Sequence, residues 1–227
     1  MKVEVLYKPS YSIAEVALEA GEGLNAESGA MVAMSPGVQV ETKMKGGFMK
    51  SLARSMLGGE SFFVNTFRAG DRGAAVMLAP SLPGDIFSED LAGGSLLVQS
   101  GSYLGSSEGV EVSTKWGGAK TFFASEGLIM LRCSGQGTLI LSSYGAIHRM
   151  DLTAGQAITV DTGHLVAFSE QIQYNVRRVG GLKSTLLSGE GLVVDFQGPG
   201  QVLMQTRSED SFLAWLLPKL PKQSSSN

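Results

Sequence analysis

Short stretches of the chain alternate apolar and polar residues with a period of two, and glycine-containing turns separate them. Val38/Val40, Val110/Val112 and Ile172/Tyr174 each place apolar side chains on one face. That period, bounded by Gly and by Asn, Asp or Ser, predicts β-strands. Two runs do not alternate: Phe62-Phe63-Val64 and Leu128-Ile129-Met130-Leu131 are apolar on both faces. They are expected in a core covered from both sides.

The pattern recurs. Residues 27–47, 99–118 and 161–181 align almost without gaps, each opening on an acid or amide, then Ser or Thr, then Gly29, Gly101 or Gly163. Six residues after that glycine each has a serine (Ser35, Ser107, Ser169). Eight residues before it each has an Ala-Gly pair (Ala20-Gly21, Ala92-Gly93, Ala154-Gly155). Downstream, residues 59–67, 125–133 and 189–197 match again, and each is followed by a glycine turn and an apolar strand. Order and spacing recurring together indicate three copies of one β unit. The expected boundaries are 1–80, 81–143 and 144–227. No unit is obviously long enough to hide its own core, so the three are expected to pack side by side. Gly135-Gln136-Gly137 reads as a hairpin turn, and the repeated Glu60, Glu126 and Glu190 as solvated turn residues.

Two segments depart from the β pattern. Between Gly47 and Gly58, apolar residues at 48, 49, 52, 53, 56 and 57 form one stripe of a 3.6-period helix. Phe48, Met49, Leu52 and Met56 are therefore candidate contact residues, toward another subunit, a membrane surface or the protein's own sheet edge. Lys50 and Arg54 add little at a membrane, since each charge contributes only about 1 kcal/mol there. A second helix is expected to begin near Ser208-Glu209-Asp210, carry Phe212, Leu213, Trp215 and Leu216, and end before Pro218. It is expected to cap the sandwich.

Composition narrows the function classes. The 227 residues include 30 Gly but only 7 Pro, which fits many turns and hairpins. A net charge of −3 with 17% charged residues gives no chain-wide footprint for nucleic acid. Cys133 is the single cysteine, so no intramolecular disulfide can form and a reducing compartment is compatible. Met1 to Val5 lacks a signal-peptide pattern, and runs such as Phe212 to Leu217 are too short to span a bilayer. A cytoplasmic location is expected, with peripheral membrane association as an open option.

Catalytic chemistry finds no constellation. His148 with Asp151 and Asp161 with His164 are isolated acid–histidine pairs, and neither recurs in the other copies. A metal site needs several ligands at suitable spacing. Cys133 ends an apolar strand and reads as a buried structural thiol. The Gly-Glu-Gly and Gly-Gln-Gly turns lack the following Gly-Lys-Ser/Thr of a phosphate loop. No catalytic, cofactor-binding or metal-binding residue is assigned, no cofactor is expected, and the chain is not expected to be an enzyme. One chemical pattern does recur: Lys43, Lys115 and Arg177 share an offset in their copies. They form either an anion or partner site, or charged edge-strand positions that block aggregation.

The ordered motifs resemble a known family. They include Glu27 to Met34, Gly59-Glu60-Ser61-Phe62-Phe63, Ser143 to Ile147, Val160 to Phe168, Gly189 to Val193 and Gly198-Pro199-Gly200. Together, from about Glu22 to Arg207, they look like the altered-inheritance-of-mitochondria protein 24 family, whose prokaryotic members are largely uncharacterised. The resemblance implies an all-β fold of three tandem TRAP-like β-sandwich units, similar to the tryptophan RNA-binding attenuation protein. It also implies a homotrimer forming a ring of units. Mitochondrial relatives are associated with inner-membrane organisation, but no mitochondrial presequence is seen here. No family catalytic residue carries over, and fold likeness does not transfer the attenuation protein's ligands.

The expectation is a non-enzymatic trimeric scaffold or binding protein, with a peripheral membrane or protein partner. The alternative is a ring binding RNA or a small ligand at unit interfaces. A metal-dependent β-barrel enzyme ranks last. The small-molecule ligand, if any, is not identified.

Overall fold

The computed structural model describes residues 1–41, 64–113, 128–179 and 192–221. The expected helix at 48–57, with Phe48, Met49, Leu52 and Met56, lies outside the described residues, as do Lys43 and Lys115.

The protein is mostly β, with one short helix near the C-terminal end. The first strands are β1 (Lys2–Leu6), β2 (Ile13–Leu18), β3 (Gly23–Glu27), β4 (Met31–Met34), β5 (Gln39–Glu41), β6 (Val64–Arg68) and β7 (Ala74–Leu78). Next come β8 (Ile86–Gln99), β9 (Tyr103–Ser107), β10 (Val110–Ser113) and β11 (Met130–Ser142). The last are β12 (Ile147–Leu152), β13 (Ala157–Asp161), β14 (Leu165–Ser169), β15 (Gln173–Arg178), β16 (Leu192–Gln197), β17 (Gly200–Gln205) and helix α1 (Glu209–Leu216). Among the described residues they form antiparallel sheets of four, ten and three strands.

The ladders repeat a register. β7 lies between β2 and β4, with Leu78 opposite both Ala14 and Met31. The second half of β11 lies between β8 and β9, with Ile86 opposite Ser142 and Tyr103 opposite Leu141. β17 lies between β12 and β14, with Ile147 opposite Gln205 and Leu165 opposite Met204. Each ladder slips by one residue at a corresponding place, leaving Val32, Leu104 and Val166 as extra residues of a bulge. The remaining strands match likewise. β6 sits between β3 and β5, the first half of β11 between β8 and β10, and β16 between β13 and β15.

The recurring serine has a structural reason. The Ser35, Ser107 and Ser169 hydroxyls accept hydrogen bonds from the backbone N–H of Ala75, Thr138 and Gln201, at 2.9, 3.0 and 3.0 Å. Each ties the end of one strand to the start of its neighbour. The recurring Ala-Gly pair has one too: Gly21, Gly93 and Gly155 adopt φ of 75°, 84° and 85°. That left-handed backbone suits glycine.

One turn expectation is corrected. Gly135-Gln136-Gly137 is not a hairpin turn but an irregularity inside the continuous strand β11, which pairs with β8 on both sides of it. Gly135 and Gly137, at φ 116° and 136°, let the strand kink without reversing.

Three cores result, and the apolar runs serve two at once. Leu131 points into the second core and its neighbour Met130 into the third. Leu96 and Val98 face the second, while Leu97 faces the third. The run at Met130 and Leu131 is thus covered from both sides, as its composition requires, whereas Phe62 and Phe63 lie outside the described residues.

Candidate functional site

Two junctions join the parts of the sheet, and both follow one rule. At the first, β3 pairs with β9, with Leu24 opposite Ser107 and Ala26 opposite Gly105. At the second, β8 pairs with β14, with Leu96 opposite Ser169 and Val98 opposite Ala167. An acid after the second strand of each pair reaches an arginine across the junction. Arg68 Nη1 donates to Glu108 at 3.1 Å, and Arg132 Nε to both Glu170 oxygens at 2.8 and 2.9 Å. Ser95 also donates to Glu170. The Arg132 guanidinium, then the Ser95 hydroxyl, hold the Glu170 carboxyl below the usual glutamate range.

β4 and β13 end their sheets; among the described residues β4 pairs only with β7, and β13 only with β16. The β4 side chains Met31, Val32 and Met34 are 41, 54 and 40% exposed. In β9 and β14 the corresponding positions are buried. Sequence reading did not single out these residues, although Met31 to Met34 is apolar like Leu165 to Phe168.

α1 is the second apolar surface. It starts where expected: the Ser208 hydroxyl accepts from the N–H of Ser211 at 3.4 Å, and Glu209 and Asp210 occupy the first turn. The expected capping role is not seen, because α1 buries none of its residues. Phe212 packs edge-on against Tyr144, whereas Trp215 and Leu217 are 59 and 60% exposed. Lys219 Nζ stands 5.2 Å from the Trp215 ring centroid.

A polar cleft of about 490 Å³ lies beside α1, with Glu27, Gln99, Ser143, Tyr144, Gln205 and Glu209 among its lining residues. Gln205 is fully engaged: its side chain accepts from the Tyr144 N–H at 2.9 Å and donates to the Gly163 carbonyl at 2.9 Å. Its backbone carbonyl accepts from His164 Nδ1 at 2.8 Å.

The remaining candidates hold structural partners. A turn does lie between Asp161 and His164, but Asp161 accepts from the Gly163 N–H at 2.7 Å instead of facing the histidine. Asp151, near His148, is bound by Arg149 at 3.0 to 3.1 Å. Arg177, on β15, donates to both oxygens of Asp195 at 2.6 and 3.0 Å. Cys133 is fully buried, and burial pushes its thiol up to about 12. Among the described residues no group of three or more His, Cys, Asp or Glu could hold a metal ion, and no helix is long and apolar enough to cross a membrane.

Fold and surfaces together define a mostly β protein of several antiparallel sheets with a short C-terminal helix. The chain belongs to the family described as Mitochondrial biogenesis AIM24, whose match runs over residues 3–207. It is 30% identical over 223 residues to the uncharacterised protein M6_Spy0233 of Streptococcus pyogenes serotype M6, covering 94% of this chain and 89% of that one. The crystal structure of protein SPYM3_0169 from Streptococcus pyogenes is similar with a TM-score of 0.80 and 26% identity, covering 96% of this chain and 99% of that one.

Proposed function

We propose that the protein is a non-enzymatic trimeric scaffold or binding protein, built from three TRAP-like β-sandwich units and attached peripherally to a membrane or membrane complex. The recurring registers and the recurring serine contacts support the three-unit reading. The observation that carries the functional reading is the apolar ridge of α1 and the turn that follows it, with Trp215 and Leu217 outward and Lys219 over the Trp215 ring. An aromatic ring next to a cation on a short apolar helix suits the boundary between water and lipid headgroups.

Flotation with vesicles of mixed neutral and anionic lipid tests this reading. Wild type is expected to float and a Trp215→Glu, Leu217→Glu variant to stay at the bottom of the gradient. Wild type staying at the bottom removes the membrane part. Native mass spectrometry is expected to read three times the 23.9 kDa chain.

The cleft favours the small-ligand form of the second reading, because it combines carboxylate, amide and hydroxyl groups from distant parts of the chain. The RNA form has less support, since Asp195 already takes the charge of Arg177.

A further inference from the structure

We infer that β4 of one copy of this chain adds to β13 of a second copy, in antiparallel register, with Ala33 opposite Val160, Met34 opposite Thr159 and Ser35 opposite Ile158. The inference rests on the three-unit trimeric reading and specifies the surface that holds the copies together.

The register comes from the two junctions inside the chain. In both, the residue three before the shared glycine (Ala26, Val98) lies opposite the residue four after the next one (Gly105, Ala167). The same count applied to Gly163 and Gly29 selects Val160 and Ala33. Among the described residues both strands end their sheets, β13 at one and β4 at the other. The free edges of β5, β10 and β15 do not compete, because that position is open in all three ladders.

The bulge residues supply an independent reason. Leu104 is buried in the first core, among side chains from the preceding part of the chain. Val166 is buried in the second core in the same way. Among the described residues the third core receives no such residue, and the corresponding Val32 is 54% exposed. An apolar residue without a core and a core without its plug sit at opposite ends of one molecule. A second copy brings them together by the contact already made twice.

Charge agrees. At the two filled junctions an acid seven residues past the shared glycine meets an arginine. At the open ends that position is Pro36; Asp195 stands at the β16 position corresponding to Arg132, where Arg177 pairs with it and the Thr159 hydroxyl donates to it, and Gln197 stands at the position corresponding to Arg68. The proline at 36 brings no second carboxylate toward Asp195. Because the two surfaces differ, the contact is head-to-tail, and in the trimeric reading three such contacts close a ring of copies.

Cysteine pairing tests the register. Met34 and Thr159 are exposed, so Met34→Cys and Thr159→Cys leave the cores untouched, and buried Cys133 does not compete. The two single variants, co-expressed and oxidised, are expected to give a linked dimer on a non-reducing gel. Met34→Cys with Ala157→Cys, two residues out of register, is expected to link at least about fivefold less. Val32→Asp, with unchanged far-ultraviolet circular dichroism, is expected to convert the oligomer to monomer. A trimeric wild type without the Met34–Thr159 link overturns this contact while leaving the trimer standing. A monomeric wild type overturns both.

Discussion

Arg132 holds both carboxylate oxygens of Glu170 through one Nε, at 2.8 and 2.9 Å, and so clamps β11 to the turn that follows β14. Its charge also depresses the Glu170 carboxyl in the folded state. A native value below the unfolded one means that protonation opposes folding. The stabilisation is complete above about pH 4.5 and fades as pH falls through the lowered native value. Partial exposure limits the size, so Glu170→Gln is expected to cost about 1 kcal/mol at neutral pH. As pH falls through the lowered native value the difference from wild type is expected to shrink, because the native carboxyl then becomes neutral itself. Urea unfolding of both proteins at neutral pH and across that fall measures this.

Cys133 offers a probe of folding. It is inaccessible, and burial in an apolar core raises its thiol to about 12, so almost no thiolate forms at neutral pH. Alkylation at pH 8 is expected to leave the native chain unmodified and to add one label per chain in denaturant. Mass spectrometry reads the count. Labelling of the native chain would show that the second core opens.

The sequence made some of this visible and hid the rest for physical reasons. Ser35, Ser107 and Ser169 were legible because each forms the same local contact, so the same residue recurs. The run around Met130 was legible because a strand between two cores must be apolar on both faces. Glu108 and Glu170 were not singled out, since their arginines lie 40 and 38 residues away and only strand pairing brings them close. Val32 was hidden differently. Its apolar neighbourhood matches those of Leu104 and Val166, and only its exposure sets it apart from them. At the described member of the basic offset, Arg177 pairs with Asp195 on the adjacent strand, a partner the sequence spacing does not reveal.

Phe168 concentrates the third core. Its ring centroid lies 4.9 Å from Phe196 and 5.0 Å from Tyr174, and it is fully buried. Removing it leaves a cavity between two rigid rings on the paired strands β15 and β16, which cannot collapse easily. Phe168→Ala is expected to cost about 3–5 kcal/mol, read as a lowered urea midpoint. A loss below about 1 kcal/mol would mean that this core repacks freely.

Gly84 and Gly94 separate crowding from conformation. Gly84 forms a parallel bridge with Gly145, and a methyl group on it would overlap the Ser143 carbonyl. The Asp85 N–H donates to the Gly145 carbonyl at 2.9 Å and the Gly145 N–H to that of Pro83 at 3.0 Å, so neither chain can retreat without losing a bond. Gly94, on β8, has nothing within 4 Å of the same methyl position. Neither glycine has the positive φ that would penalise alanine by itself. Gly84→Ala is therefore expected to lose at least about 3 kcal/mol, and Gly94→Ala to stay within about 0.5 kcal/mol of wild type. Thermal and urea unfolding of the two variants side by side measures the contrast. Equal stability would mean that the crossing at Gly84 is loose enough to admit a side chain.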